Sequence, residues 1–182
     1  MNDHAAVPSG SAFDAGRLCL RFLAVGRDAD QAVGVPAVAA WAAEVLDVTD
    51  LAGPTAEEQR DAVTLSDAIS RLCAALAAGQ QPAVGDLARL NRIAAQPDLA
   101  PQLGSGGERS WAWPVTVGQV LSTIARDAVA LLTGPGRHRV RRCAGDGCGR
   151  LFLDLSRPGS RRWCAMTRCG NRAKVRAFRA RS

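Results

Sequence analysis

Four cysteines in the last quarter of the sequence constrain the fold more than any other feature. They follow the spacing C-x4-C-x15-C-x4-C and are Cys143, Cys148, Cys164 and Cys169. Two short cysteine pairs separated by a longer span are the layout of a structural four-cysteine zinc site. Each short pair makes one tight turn, and the span is long enough for a hairpin between the pairs to bring the two turns together. We therefore predict one Zn²⁺ per chain, bound by these four thiolates.

The segment that contains these cysteines needs such a metal in order to fold. Residues 137–182 hold too few large apolar side chains to keep a small module folded by burial alone. A structural zinc contributes about 10–16 kcal/mol of apparent binding free energy, which becomes folding free energy in a module of this kind. Two other uses of the same thiols stay open on the residues alone: an iron–sulfur cluster and a redox switch.

The distribution of charge divides the chain in front of the cysteines. Residues 137–182 contain 14 Arg and Lys and two acids, a net charge of +12, whereas residues 1–136 have a net charge of −6. The sequence TGPG at 133–136 breaks the helical pattern just before the charge changes sign. We predict two modules, a helical domain over 1–136 and a four-cysteine finger over 137–182. The positive charge of the finger predicts a polyanionic partner.

The residues that follow the fourth cysteine predict a helix from about 170 to 180. At 100° per residue, three arginines fall on one stripe of this helix at i, i+4 and i+7: Arg172, Arg176 and Arg179. Val175 and Phe178 fall on a neighbouring face, and we expect them to pack on the zinc hairpin. Like charges at i, i+4 cost stability when no acidic side chain compensates them. We therefore expect the stripe to bind a nucleic acid rather than to be a solvated surface.

The first 136 residues predict a mostly helical domain with one β-hairpin. The helical pattern recurs over four segments: 35–47, 55–78, 83–95 and 117–132. The longest segment opens on a T-x-x-E capping box formed by Thr55 and Glu58. The turn sequence GSGG at 104–107 predicts the hairpin, whereas residues 17–22 fit either a short strand or a first helical turn. Residues 1–10 are predicted to be a polar lead-in.

Catalysis is not expected. No nucleophile–base pair is visible, and His4 is the only histidine before residue 137. Four thiolates would also close the metal shell, so that no position is left for a reacting water. Cys19 and Cys73 lie within apolar patterns and are predicted to be buried structural thiols.

The cytoplasm is the expected compartment. The first residues, MNDHAAVPSGSAF, have neither the basic start nor the apolar run of a signal peptide. No stretch approaches 18 uninterrupted apolar residues, so no membrane contact is predicted. Thiols are kept reduced in the cytoplasm, which suits a metal site better than disulfides.

Several short motifs in the last 40 residues resemble the CGNR zinc finger. These are LFLD at 151–154, SR at 156–157, RRWC at 161–164 and CGNRAK at 169–174. This finger occurs in bacterial proteins described as stress-induced transcription regulators, where it follows a helical domain called ABATE, and residues 1–136 resemble that domain more loosely. The resemblance implies zinc at the four cysteines and DNA contact around Arg161, Arg162, Asn171, Arg172 and Lys174. One departure is CLRFLAVGRD, which has Arg21, Ala24 and Val25 where relatives commonly show an acidic residue and an Asn-Thr pair.

The observations together predict a mainly α protein with a short β-hairpin and a small treble-clef-like zinc finger. The expected function is zinc-dependent binding of double-stranded DNA in transcription regulation. The helical domain would sense a small-molecule effector or form a homodimer. A protein-interaction adaptor and an RNA-binding protein are the alternatives. The predicted nucleic-acid contacts are Arg161, Arg162, Arg168, Asn171, Arg172, Lys174, Arg176 and Arg179.

Overall fold

The computed structural model describes residues 16–25 and 34–180. The lead-in predicted for residues 1–10, with His4, lies outside these ranges. The described residues form six α-helices and four short strands: α1 (Leu18–Phe22), α2 (Val35–Leu46), α3 (Ala56–Ala77), α4 (Val84–Ala94), β1 (Pro101–Leu103), β2 (Arg109–Trp111), α5 (Val117–Thr133), β3 (Val140–Arg142), β4 (Leu151–Leu153) and α6 (Asn171–Arg179). A 3₁₀ turn at Arg137–Arg139 precedes β3, and a π-helical turn at Met166–Gly170 precedes α6. The predicted fold class is confirmed.

Helices α2 to α5 begin and end within two residues of the segments that periodicity predicts, and capping explains two of their starts. The Thr55 hydroxyl accepts a hydrogen bond from the Glu58 N–H, and the Glu58 carboxylate accepts one from the Thr55 N–H. Thr116 and Gln119 form a second capping box at the start of α5. The other carboxylate oxygen of Glu58 accepts a hydrogen bond of 2.7 Å from Gly118 N–H. One side chain therefore caps α3 and ties its start to the start of α5.

The ambiguous segment at 17–22 is helical, because a contact far along the chain decides it. The Arg17 guanidinium forms a salt bridge of 2.8 Å with Asp127 on α5. The Asp127 carboxylate also accepts a hydrogen bond of 2.9 Å from Cys19 N–H. An acceptor at this point satisfies a backbone donor in the first turn of a helix, which has no partner within the helix.

The core of the helical domain lies between α3 and α5, with α1, α2 and α4 around them. Leu65 and Ile69 of α3 and Leu121 and Ile124 of α5 are fully or almost fully buried. Cys19 and Cys73 are also completely buried, as predicted for structural thiols. Burial raises the pKa of Cys73 to about 12, so this thiol stays protonated at neutral pH.

The predicted hairpin in the helical domain is formed by β1 and β2. The two strands are antiparallel, and Gln102 is opposite Ser110. The indole N–H of Trp111 donates a hydrogen bond of 2.7 Å to the carbonyl of Leu46 at the end of α2. Trp111 therefore anchors the hairpin to the helices, whereas Trp113 is largely exposed.

The finger begins with a second antiparallel hairpin, formed by β3 and β4, in which Arg141 is opposite Phe152. This hairpin encloses the first cysteine pair at its tip. The prediction of a hairpin between the two cysteine pairs is therefore wrong. The residues from 154 to 163 contain no strand and cross to the second pair as an irregular segment.

The β3–β4 hairpin joins the finger to the helical domain because its two faces bury different side chains. Val140, Leu151 and Leu153 pack into the same buried cluster as the side chains of α3 and α5. Phe152 points the other way, as alternation along a strand requires, and packs with Cys143 and the second cysteine pair. One face of the hairpin thus extends the helical core, and the other covers the cysteine site.

Helix α6 differs from the other long helices because none of its residues is buried. Val175 is 51% exposed and Phe178 is 73% exposed. The prediction that these two side chains pack on the zinc hairpin is therefore wrong. No helix in the described part of the chain is both long and apolar enough to cross a membrane.

Candidate metal centre

Two turns bring the first cysteine pair and the fourth cysteine together. Cys143 directly follows β3, and its N–H donates a hydrogen bond of 2.7 Å to the carbonyl of Arg150, which closes the loop. Gly147 and Gly149 have φ angles of +66° and +57°, a conformation that suits glycine and lets the loop turn this tightly. Cys169 lies in the π-helical turn before α6. A β-carbon at Gly145 would lie 3.0 Å from Cys169 Cβ and 3.1 Å from Cys169 Sγ, so any other residue here would require the two turns to move slightly apart.

The positions of the four sulfur atoms fit a metal ion better than a disulfide. All four Sγ atoms lie within 4.8 Å of one another. Cys164 Sγ lies 3.7 Å from Cys148 Sγ and 3.7 Å from Cys169 Sγ. A disulfide requires an S–S distance of about 2.05 Å. In a tetrahedron with metal–sulfur bonds of about 2.3 Å the sulfur atoms are roughly 3.8 Å apart, which is close to these two distances.

Hydrogen bonds from the protein favour the thiolate form of these ligands. Cys143 Sγ accepts from Gly145 N–H at 3.4 Å and from Cys164 N–H at 3.3 Å. Cys169 Sγ accepts from the Arg172 guanidinium at 3.5 Å. Such donors offset the negative charge that four thiolates bring together.

The cysteine environments also separate their pKa values. Burial opposes ionisation of Cys169, but hydrogen bonds from Arg172 and from the other three thiols outweigh it and lower the pKa of Cys169 to about 7. Burial raises the pKa of Cys164, and the neighbouring thiols raise it further. Cys169, which lies just before α6, therefore ionises more readily than Cys164.

Arg161, a predicted nucleic-acid contact, is turned towards the protein. Its guanidinium donates a hydrogen bond of 2.9 Å to the carbonyl of Trp163 and another to the carbonyl of Cys164. The same group lies 5.0 Å from the centre of the Phe152 ring, within the range of a cation–π interaction. Arg161 therefore fixes the backbone that carries the third cysteine.

Sequence reasoning missed Asp154, the buried carboxylate that organises the irregular segment. It is completely buried and accepts hydrogen bonds from Ser156 N–H at 2.9 Å and from Arg161 N–H at 2.8 Å. Burial alone would raise the pKa of Asp154, but these bonds, the Ser156 hydroxyl and the charge of Arg139 together lower it. The sequence did contain an indication of this role. Asp154 directly follows an apolar strand, and the finger has only one other acid, Asp146.

The remaining predicted nucleic-acid residues lie in or near α6. Asn171, Arg172, Lys174, Arg176 and Arg179 are all on this helix and are exposed. Arg168 is exposed in the π-helical turn before it.

Two basic side chains near the site have contacts within the finger. Arg176 forms a salt bridge with Asp146 in the loop between the first two cysteines. The guanidinium of Arg162 lies 5.3 Å from the centre of the Trp163 ring. The structure therefore collects five of the eight predicted contacts on one helix and places Arg161, Arg162 and Arg168 between β4 and that helix.

Two family models match different parts of the chain. A model of the CGNR zinc finger matches residues 139–182. A model of the ABATE domain, described as "Putative stress-induced transcription regulator", matches residues 16–135. A search of curated proteins finds no match. The resemblance seen in the motifs is confirmed, and it extends over the helical domain.

Proposed function

The chain belongs to the ABATE family, and on that premise we propose that it is a zinc-dependent transcription regulator that binds double-stranded DNA through its finger. The match to the ABATE model covers about two thirds of the chain. DNA binding is supported by α6, which starts two residues after Cys169. This helix is exposed and has four basic residues and no acid.

Zinc is the metal that we assign to the four cysteines. Four cysteine sulfur donors within 4.8 Å of one another suit structural zinc, which needs no further ligand. Bound there, zinc would neutralise part of the thiolate charge and hold the hairpin tip against the start of α6. The closed shell leaves no open position for water, so we assign the metal a structural role and the protein no catalytic one.

The basic side chains of α6 do not all have the same role in this proposal. Arg172 donates to Cys169 Sγ, and Arg176 pairs with Asp146. Lys174 and Arg179 are exposed on the same helix. We assign phosphate contacts first to Lys174 and Arg179, and we assign Arg172 a joint role in steadying the metal site and presenting positive charge.

The test is a titration of the zinc-loaded protein with a labelled random-sequence duplex over a series of salt concentrations. Each phosphate contact on duplex DNA adds about 0.9 to the slope of log K against log salt, because it releases a bound counterion. Lys174→Ala and Arg179→Ala should each lower the slope by about that amount. Arg60→Ala, which removes an exposed arginine of α3, is the matched control and should leave the slope unchanged.

Two further arms distinguish the alternatives. Removing zinc with a chelator should abolish DNA binding, because α6 then loses its attachment to the hairpin. An RNA duplex should compete poorly, because the deep and narrow major groove of A-form RNA does not admit a helix. A slope that neither α6 variant changes, together with binding to an acidic protein that both variants weaken, would favour the protein-interaction adaptor.

A further inference from the structure

The outward side of α6 carries a specific arrangement of side chains. At 100° per residue, Asn171, Val175 and Phe178 fall within roughly 60° of one another. The face opposite to them is made of alanines, among which Ala173 is the half-buried residue of the helix. Ala173 thus marks the side of the helix nearest the protein, and Val175 and Phe178 lie on the opposite, exposed side.

Basic side chains flank this outward strip on both sides. Lys174 lies beside Phe178 on one edge, and Arg172 and Arg179 lie on the other, whereas Arg176 is turned towards Asp146 of the finger. Val175 and Phe178 are 51% and 73% exposed, which is costly for residues of this size. A partner that suits this face must be anionic at both edges and must offer apolar groups between them.

The major groove of duplex DNA has this chemistry. Phosphates line both edges, and between them each A·T pair presents the 5-methyl group of thymine beside the hydrogen-bonding edge of adenine. The groove is about 12 Å wide, and an α-helix with its side chains is about 10–12 Å across. At about 1.5 Å per residue, α6 is long enough to lie along roughly four base pairs.

We propose that α6 enters the major groove and that Val175 and Phe178 contact thymine methyl groups, so that the finger prefers A·T base pairs. This inference rests on the proposed DNA-binding function, and it specifies that the DNA must present thymine methyl groups in its major groove. Asn171 lies on the same strip, in the position to pair with the adenine edge. Its side-chain amide donates one hydrogen bond of 3.3 Å to the carbonyl of Thr167, which leaves its second N–H and its oxygen for a base.

The experiment compares two alternating duplexes, poly(dA-dT) and poly(dA-dU). They share phosphates and base-pair hydrogen bonds and differ in the 5-methyl group, which uracil lacks. The zinc-loaded protein should bind poly(dA-dT) at least about fourfold more tightly, the effect of burying one methyl group. The double variant Val175→Ala/Phe178→Ala should bind the two duplexes equally, and its salt slope should match that of the unsubstituted protein.

The controls separate this inference from the function on which it rests. Val84→Ala removes a valine that is 81% exposed on α4 and should keep the preference for the methylated duplex. Arg179→Ala should weaken binding to both duplexes by the same factor. Equal binding of the two duplexes by the unsubstituted protein overturns methyl recognition but leaves DNA binding intact. Failure to bind either duplex at low salt overturns the proposed function itself.

Two other occupants of the same strip would give different results. If a second copy covers it, the double variant should change the sedimentation of the protein without DNA. If an anionic membrane covers it, the protein should bind phosphatidylserine vesicles and the double variant should not. Either result overturns the inference.

Discussion

Replacing Leu153 by alanine should destabilise the helical domain as well as the finger. The Leu153 side chain is 7% exposed and lies in the buried cluster that includes α3 and α5. Its β-carbon also lies 3.2 Å from the position that a β-carbon at Gly16 would occupy, so the chain just before α1 approaches β4 closely. Deleting a buried leucine costs about 2–5 kcal/mol. We expect about 3 kcal/mol, because a small part of this side chain is already in contact with water.

Urea unfolding with two probes measures the effect on each part. The helical circular dichroism signal comes mainly from α2 to α5, and metal release to a coloured chelator follows the finger. With an m-value of about 2 kcal/mol per molar urea, a loss of about 3 kcal/mol moves the midpoint by about 1.5 M. Because the hairpin extends the helical core, both probes should move to lower urea by this amount.

Leu155 provides the matched control for this substitution. It is the same residue type two positions further on and is 63% exposed. Leu155→Ala should therefore change the free energy of unfolding by less than about 0.5 kcal/mol. The shared core is refuted if Leu153→Ala accelerates metal release but leaves the midpoint of the helical signal unchanged.

Three further predictions concern the metal site and one buried carboxylate. The purified protein should contain about one zinc per chain, and Cys164→Ser should lose it, as measured by elemental analysis. Arg161→Ala should release zinc to a chelator about tenfold faster, because the backbone of the third ligand loses its support, whereas Arg162→Ala should not. The hydrogen bond from Arg71 lowers the pKa of the buried Asp86 carboxyl, so this pair stabilises the fold above about pH 4 and the stabilisation is lost as the pH falls below it. Asp86→Asn should lower the free energy of unfolding by about 2 kcal/mol at pH 7. In urea unfolding, this variant should also lose less stability than the unsubstituted protein between pH 5 and pH 3. An unchanged pH profile would contradict a stabilising pair of Arg71 and Asp86.

The sequence alone predicted those features that depend on interactions between residues close together in the chain. Helical periodicity located α2 to α5, and the Thr55–Glu58 capping box marked the start of α3, because all these interactions join residues three or four positions apart. The clustering of the four cysteines into a possible metal site was also readable, since C-x4-C turns bring sulfur atoms together within a few residues. The charge change near residue 137 is likewise visible in composition alone, and the division into two modules that it suggests stays a prediction.

Only the tertiary structure decided the features that depend on distant residues. The segment at 17–22 is a helix because Asp127, more than 100 positions away, accepts from its first turn. The finger shares a core with the helical domain because Leu153 packs into the cluster of α3 and α5, a contact that no short motif encodes. The orientation of α6 depends likewise on how the π-helical turn leaves the metal site. Sequence periodicity identified an apolar face with Val175 and Phe178, but which face of a helix meets the protein is set by the packing of the element before it.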